Sequence, residues 1–322
     1  MSADVIIPMF NSERTIINSL DALNRQTYNN FKIVVIDDGS TDSSIELVES
    51  FKITGKFPIK LIRQEHAGPA KARNLGVEHS EGDIIIFLDS DCIPPANWLE
   101  EMIIPLKGKI VGCNCGYRVM NKEYIIARYI DYEIAKRHSQ LVGKSIDTVG
   151  TYSASFIKDI FKKAGGFDTN YVIASGEDFD FTFNLKKMGY DLTFTDKTFV
   201  YHYHPNSLRK YLKQQFWRGY WRVRLYLKNT DKIVKGDSYT GIEPQIQVIL
   251  SSLMLLSVPF IIFNVAIPMT MFGILLLSNL PLGFWAFAKE KKFIVIAPLL
   301  SSIRSISGTL GAYTYIIERI FK

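Results

Sequence analysis

From Pro244 to Ala288 the chain runs for 45 residues without one Asp, Glu, Lys or Arg. A helix that crosses a bilayer needs about 20 apolar residues. The run is therefore long enough for two crossings, expected at 244–263 and 269–288, with a turn near Asn264 to Pro268. A third apolar stretch, Phe293 to Ile317, carries one charge, Arg304. A charge at mid-bilayer costs at least about 2.5 kcal/mol, so 293–317 is expected either to span or to lie as a re-entrant or interfacial helix, with a lipid phosphate as one candidate partner for Arg304. Ser2 to Phe10 is too short for a signal peptide and leads straight into a polar helical pattern.

Charge is distributed to match. Between Leu208 and Lys235 nine basic residues stand against one acid, Asp231, in a chain whose net charge is only +6. A basic surplus beside an apolar run is retained on the cytosolic side of a membrane. Lys289, Lys291 and Lys292 fall on that same side if the first two spans cross and return. The expected location is a cell membrane, multi-pass, with the remainder of the chain in the cytosol. Tyr211, Phe216, Trp217, Tyr220, Trp221 and Tyr226 interleave with the basic residues, a composition suited to the headgroup zone. Membrane lipids are thus the expected partner of this segment, and nucleic acid is not. The three cysteines, Cys92, Cys113 and Cys115, lack a second Cys or His pair that would complete a zinc site, and read as reduced structural thiols.

The first half alternates short buried runs with helical patterns. Val5 to Ile7, Ile33 to Ile36, Ile59 to Ile62 and Ile84 to Leu88 read as strands; Ser12 to Arg25, Thr41 to Phe51 and Pro69 to His79 read as helices. This order predicts an α/β fold with a parallel, Rossmann-like sheet, in which ligands bind beyond the carboxyl ends of the strands. Further on, Tyr124 to Gln140 and Glu177 to Met188 are expected helices and Asp147 to Phe156 an expected strand.

The strand ends carry the chemistry. The first closes in Pro8-Met9-Phe10-Asn11 and the second in Asp37-Asp38-Gly39-Ser40-Thr41-Asp42. Adjacent buried carboxylates require compensation, from a nucleotide base or a helix N-terminus; Ser40 to Asp42 also suit a helix cap. The fourth closes in Asp89-Ser90-Asp91, whose carboxylates at i and i+2 can aim at one hard cation that bridges phosphates. Gly68 and Pro69 open a helix at a strand end, a natural anion site, with Arg73 the better donor contact and Lys71 a candidate for the surface. Glu177, Asp178 and Asp180 start another helix, where acids also suit the helix dipole.

Together these segments resemble glycosyltransferase family 2, the inverting enzymes of GT-A fold, over residues 3 to about 220. The resemblance rests on Ile6-Ile7-Pro8 with Asn11, Val35 to Ser40, Gly68 to Gly76, Asp89-Ser90-Asp91, Gly165-Gly166-Phe167-Asp168 and Gly176-Glu177-Asp178. It implies a GT-A catalytic domain at 1–207, an amphipathic connector at 208–243 and a membrane domain at 244–322. It implies Asp178 as catalytic base, Asp38 at the nucleotide base, and Asp89 and Asp91 at ribose, metal and diphosphate. Pro8, Phe10, Asn11, Gly68, Arg73 and Ser90 join the donor site, as does Arg218 at the diphosphate. His202 and His204, in Tyr201-His202-Tyr203-His204-Pro205, match a late histidine that reaches the metal or diphosphate, with the choice between them open. The implied cofactor is Mg2+ or Mn2+, the donor a UDP- or GDP-sugar, and the acceptor a lipid-linked saccharide or a polyprenyl phosphate. Chemistry agrees: a sugar hydroxyl needs a carboxylate base, and a metal offsets charge on the leaving diphosphate.

Two departures bear on the rival readings. Processive synthases of the family carry Gln-x-x-Arg-Trp, whereas Gln215-Phe216-Trp217-Arg218 is followed here by Gly219; and Asn184 stands where members often have Arg. The first weighs against a polysaccharide synthase. A non-enzymatic membrane protein that binds nucleotide-sugar would not need both Asp91 and Asp178.

Overall fold

The apolar runs read as buried strands pair with one another in a computed structural model that describes residues 1–321 apart from 172 and 174. The chain divides into two units, Met1–Met120 with Leu141–Tyr203, and Asn121–Gln140 with His204–Lys322.

In the first unit β1 (Ala3–Met9), β2 (Phe31–Asp37), β3 (Ile59–Arg63) and β4 (Ile84–Leu88) are linked by the helices α1 (Ile16–Asn24), α2 (Ser44–Thr54) and α3 (Pro69–Glu78). They pair in parallel in the order β3-β2-β1-β4. β4 is buried at every residue and β1 at all but Pro8, as a sheet covered on both faces requires. Each fully buried Ile or Val here contributes about 1.5–3 kcal/mol of burial free energy. Gly76 lets α3 close onto the sheet, because a Cβ there would stand 2.3 Å from Ile6 Cγ2.

Beyond β4 the sheet is mixed, which the alternation of the first half does not foretell. After β5 (Cys92–Ile93) and α4 (Trp98–Ile103) comes β6 (Ile110–Val119). The helix read at 124–140 is α5 (Ile125–Ser139), followed by β7 (Ser153–Ile157), α6 (Lys158–Lys163), α7 (Glu177–Lys187) and β8 (Asp191–His202). The eight strands run β3-β2-β1-β4-β7-β6-β8-β5, with β7 antiparallel to β4 and β6. The strand expected at 147–156 is confined to Ser153–Ile157, since only there does it pair with β4.

The second unit is helical: α8 (Leu208–Lys228), α9 (Asp231–Lys235), α10 (Glu243–Ser257) continued by a 3-10 turn to Ile262, α11 (Ala266–Ser278), α12 (Leu280–Phe287) and α13 (Phe293–Ile320). It also contains α5, so the expected boundary at 207 is redrawn. The reason is packing: the Tyr129 and Ser301 hydroxyls bond at 2.8 Å, Tyr132 donates to Glu290, and Glu133 pairs with Arg304. Among the described residues two helices, Glu243–Ile262 and Phe293–Ile320, are long and apolar enough to cross a membrane, for up to three spans if a bent pair counts as one.

The stretch expected to span at 269–288 is that bent pair, broken by 45° between α11 and α12, a broken span or a re-entrant loop. Asn279 at the break donates to the Leu275 carbonyl and accepts from Gln247 Nε2 at 2.9 Å, while Pro281 has no N–H for a continuing helix. The stretch 293–317 lies within a single helix of 28 residues, Phe293–Ile320. Its charge is compensated from within: Arg304 pairs with Glu133 and donates to Gln247 Oε1 at 2.6 Å, an arrangement whose one-sided loss costs about 3–5 kcal/mol. α8 lies along α13 at backbone contact, since a Cβ on Gly219 would meet the Gly308 carbonyl oxygen and one on Gly311 the Phe216 carbonyl oxygen, each at 1.9 Å. A Trp at 219 has no room in this packing.

Candidate active site

The strand ends of the first unit bring most of the predicted residues to one edge of the sheet. β4 delivers Asp89-Ser90-Asp91, and the Asp89 carboxylate accepts from Arg73 Nη2 at 2.8 Å. The other arm of the same guanidinium, Nη1, donates to Glu177 at 2.9 Å. Arg73 and Glu177 are 2% and 1% exposed. One buried arginine thus ties the end of β4 to the start of α7, 104 residues beyond Arg73 itself. The sequence reading placed Arg73 on the donor and Glu177 among helix-start acids; their pairing was not foreseen, because nothing in linear spacing links α3 to α7.

Asp178 follows Glu177 into this cluster. Its Oδ1 accepts the Phe179 N–H at 2.9 Å and its Oδ2 the Thr151 N–H at 3.3 Å. A carboxylate has about four acceptor positions, so each oxygen keeps capacity for an incoming hydroxyl. Burial pushes the Asp178 carboxyl above its usual range, against the pull of the nearby Arg73 charge. Burial and the Asp178 charge together push Glu177 up to about 7. Three acids around one guanidinium leave negative charge in excess, and proton uptake relieves it.

On the other side of β4, Asp91 faces His202, the last residue of β8, with Oδ2 to Nε2 at 3.6 Å. The Asp91, Cys92 and His202 ligand atoms lie within 4.8 Å of one another. Burial, and then the neighbouring Asp89, push Asp91 up, while His202 pulls it down. The Cys92 thiol is pushed well above its usual value by burial and by Asp91, and its soft sulfur suits a hard cation less well than oxygen or imidazole nitrogen. A carboxylate oxygen and an imidazole nitrogen remain, a donor set that fits a hard to borderline divalent cation. The Tyr117 ring stacks on His202 at 5.4 Å between centroids and fixes its plane.

His204 belongs to the helical unit, where it is buried and its N–H donates to Asn121 Oδ1 at 3.0 Å. Arg218, also in that unit, is exposed on α8.

The remaining candidates line the ends of β1 and β2. Asp38 is 3% exposed and its acceptor positions are filled from inside. Oδ1 takes Gln64 Nε2 at 2.6 Å and the Ala67 N–H at 2.8 Å; Oδ2 takes the Gly68 N–H at 3.0 Å and stands 3.0 Å from His66 Nδ1. Asp38 therefore holds the 64–68 loop, at the end of β2 where the resemblance sets the nucleotide base. The group this loop presents is a ring pair the sequence did not suggest: exposed Phe10 stacked on His66, centroids 4.3 Å apart. Asn11, at φ 49°, accepts the Thr41 N–H and donates its own to Ser40, so it ties β1 to the β2 turn. Pro8 lies in register with Ile36 of β2. Ser90 bonds Ser12 through their hydroxyls at 2.7 Å. Gly68, at φ 90°, starts α3 with Pro69, and Lys71 is at the surface. Asn74 of α3 donates to the Phe167 carbonyl and accepts its N–H, fixing the Gly165-Gly166-Phe167-Asp168 segment.

Residues 4–164, half of the chain, match the family described as glycosyl transferase family 2. Over 229 residues the chain is 29% identical to glycosyltransferase AglE of Haloferax volcanii, a match covering 69% of this chain and 73% of the relative. Over 128 residues it is 37% identical to WfgD of Escherichia coli, a UDP-Glc:alpha-D-GlcNAc-diphosphoundecaprenol beta-1,3-glucosyltransferase, covering 39% of this chain and 49% of that one. Among solved structures it resembles the mannosyltransferase PcManGT of Pyrobaculum calidifontis in complex with GDP-Man and Mn2+, with a TM-score of 0.65 over 98% of this chain and 87% of the other at 17% identity. That likeness is one of fold, the GT-A sheet. With half of its length in one family and the sheet of that family, the chain belongs to glycosyl transferase family 2 and is a glycosyltransferase.

Proposed function

We propose that this enzyme transfers one sugar, with inversion, from a UDP- or GDP-sugar to a hydroxyl of a lipid-linked saccharide, at a membrane and on its cytosolic side. The observation that carries the reading is the Arg73 bridge, which brings Asp89 of β4 and Glu177, the neighbour of Asp178, onto one guanidinium. A carboxylate base is thereby kept beside the diphosphate-binding strand end. Asp178, raised in basicity by burial, accepts the acceptor hydroxyl proton as the oxygen attacks the anomeric carbon. The glycosidic bond to the diphosphate breaks on the opposite face, and the nucleoside diphosphate leaves. Asp91 and His202, with Asp89 beside them, would hold a Mg2+ or Mn2+ ion, which when bound offsets the charge gathering on that leaving group. Phe10 and His66 offer a flat surface for the base, and the Asp38-held loop carries the Gly68 opening of α3 toward the phosphates.

Support for a lipid-linked acceptor comes from the diphosphoundecaprenol-linked substrate of WfgD and from the two membrane-length helices among the described residues. The hydroxyl is preferred to a polyprenyl phosphate because a phosphate is already ionised and needs no base. Asp178→Asn should lower hydroxyl transfer by about 10²–10⁴-fold with donor binding retained. Undiminished transfer to a hydroxyl acceptor would end the proposal. Transfer to polyprenyl phosphate that survives the substitution would move the acceptor to that class. Product length distinguishes single addition from a synthase.

A further inference from the structure

The helical unit holds a partly open cavity of about 120 Å³, lined by none of the residues assigned above to the transfer reaction. By the same measure a water needs only about 10–15 Å³, so a group of several heavy atoms fits. One wall is a face of α5: Glu133, Lys136, Arg137 and Gln140, spaced i, i+3, i+4 and i+7. Arg304 of α13 forms another wall, and Asn279, at the break between α11 and α12, a third.

The charges in this cavity do not cancel. Lys136, Arg137 and Arg304 line it against two carboxylates, Glu133 and Glu243, a surplus of one positive charge. Glu133 Oε1 receives both Arg137 Nη2, at 2.5 Å, and Arg304 Nη1, while Oε2 receives the Tyr211 hydroxyl at 3.2 Å. Two guanidinium groups therefore meet across one oxygen atom of a buried acid. Glu243 is 61% exposed and stands 3.7 Å from Lys136 Nζ, a loose, solvent-screened pair. A second anion is what would balance the two arginines.

We propose that this cavity binds a phosphate group. A tetrahedral anion accepts hydrogen bonds from several directions at once, and donors stand here on separate helices, with planar guanidinium forks suited to phosphate. The cavity lies beside Gln247 in the first turns of α10, where the polar connector gives way to the apolar run, at the level expected of lipid headgroups. An anionic lipid headgroup and free phosphate offer the same oxygens.

The test titrates the full chain in non-ionic detergent with inorganic phosphate and, separately, with a short-chain phosphatidic acid, reading dissociation constants from 31P line broadening. Saturable binding in the parent is expected. Glu133→Gln, which raises the surplus to two charges, should tighten it at least 5-fold; Arg137→Gln should weaken it at least 5-fold. Should Glu133→Gln fail to fold, Gln140→Lys, which also adds one positive charge to the lining, replaces it and should tighten binding. Saturation by the lipid alone assigns a headgroup, and equal saturation by inorganic phosphate assigns the free ion. No saturable binding of either, or substitutions of opposite charge that leave affinity unchanged or shift it the same way, overturns the proposal.

Discussion

Removing the Arg73 guanidinium while keeping its volume tests whether one buried arginine organises the catalytic cluster. Arg73→Met removes two charged hydrogen bonds, to Asp89 at 2.8 Å and to Glu177 at 2.9 Å. Each is of a type worth about 1.5–3 kcal/mol. It also leaves Glu177 buried beside Asp178 with no counter-charge from α3. One-sided loss of a buried ion pair costs about 3–5 kcal/mol, within the about 3–6 kcal/mol of the two bonds summed. For a unit of this size 1 kcal/mol corresponds to about 2–4 °C in melting temperature. The unit should therefore melt about 6–20 °C lower. Thermal unfolding of the full chain in detergent, with hydrogen exchange of β1 and β4 peptides to identify the unit that melts, reads this directly. Arg73→Lys should recover less than half of the loss, since an ammonium cannot bridge both acids in a plane. A drop below about 2 °C for the Met variant would refute the reasoning, because the acids would then be compensated by something other than Arg73.

Glu177→Gln should behave in the opposite sense as pH rises. The native carboxyl is raised to about 7, so its stabilising contribution is complete below its unfolded value and is lost as pH climbs through 7. Relative to the parent, the Gln variant should gain up to about 3 kcal/mol between pH 4.5 and 8, and a pH-independent difference in denaturant midpoints would contradict that. Gly311→Ala places a methyl against the Phe216 carbonyl and should separate α8 from α13, at a cost of about 1–3 kcal/mol; unchanged protease resistance of α13 would show the contact to be slack. Asp91→Asn should weaken Mn2+ binding, measured by electron paramagnetic resonance without substrate, by at least about 10-fold, whereas His204→Gln should leave it within about 2-fold if His202 is the histidine that serves the site.

Part of this protein can be read along the line of residues. Burial of β1 and β4 on both faces follows from runs such as Ile84 to Leu88, and the helices α3, α5 and α7 from their periodicity, because these are local properties of spacing and composition. The family markers are local too, which is why Asp89-Ser90-Asp91 and Gly176-Glu177-Asp178 point to a nucleotide-sugar enzyme before any coordinates. The long charge-free run makes membrane-length helices almost unavoidable.

Tertiary structure alone decided the rest, through contacts between residues far apart in the chain. That Arg73 joins Asp89 to Glu177, that Asp38 supports a loop while Phe10 and His66 present the open ring pair, and that α5 leaves the α/β unit for the helices are all outcomes of packing. The break at Asn279 and the burial of Arg304 against Glu133 have the same origin. Hydropathy registers a charge in an apolar run, but only the fold supplies the acid, 171 residues away, that makes that charge tolerable.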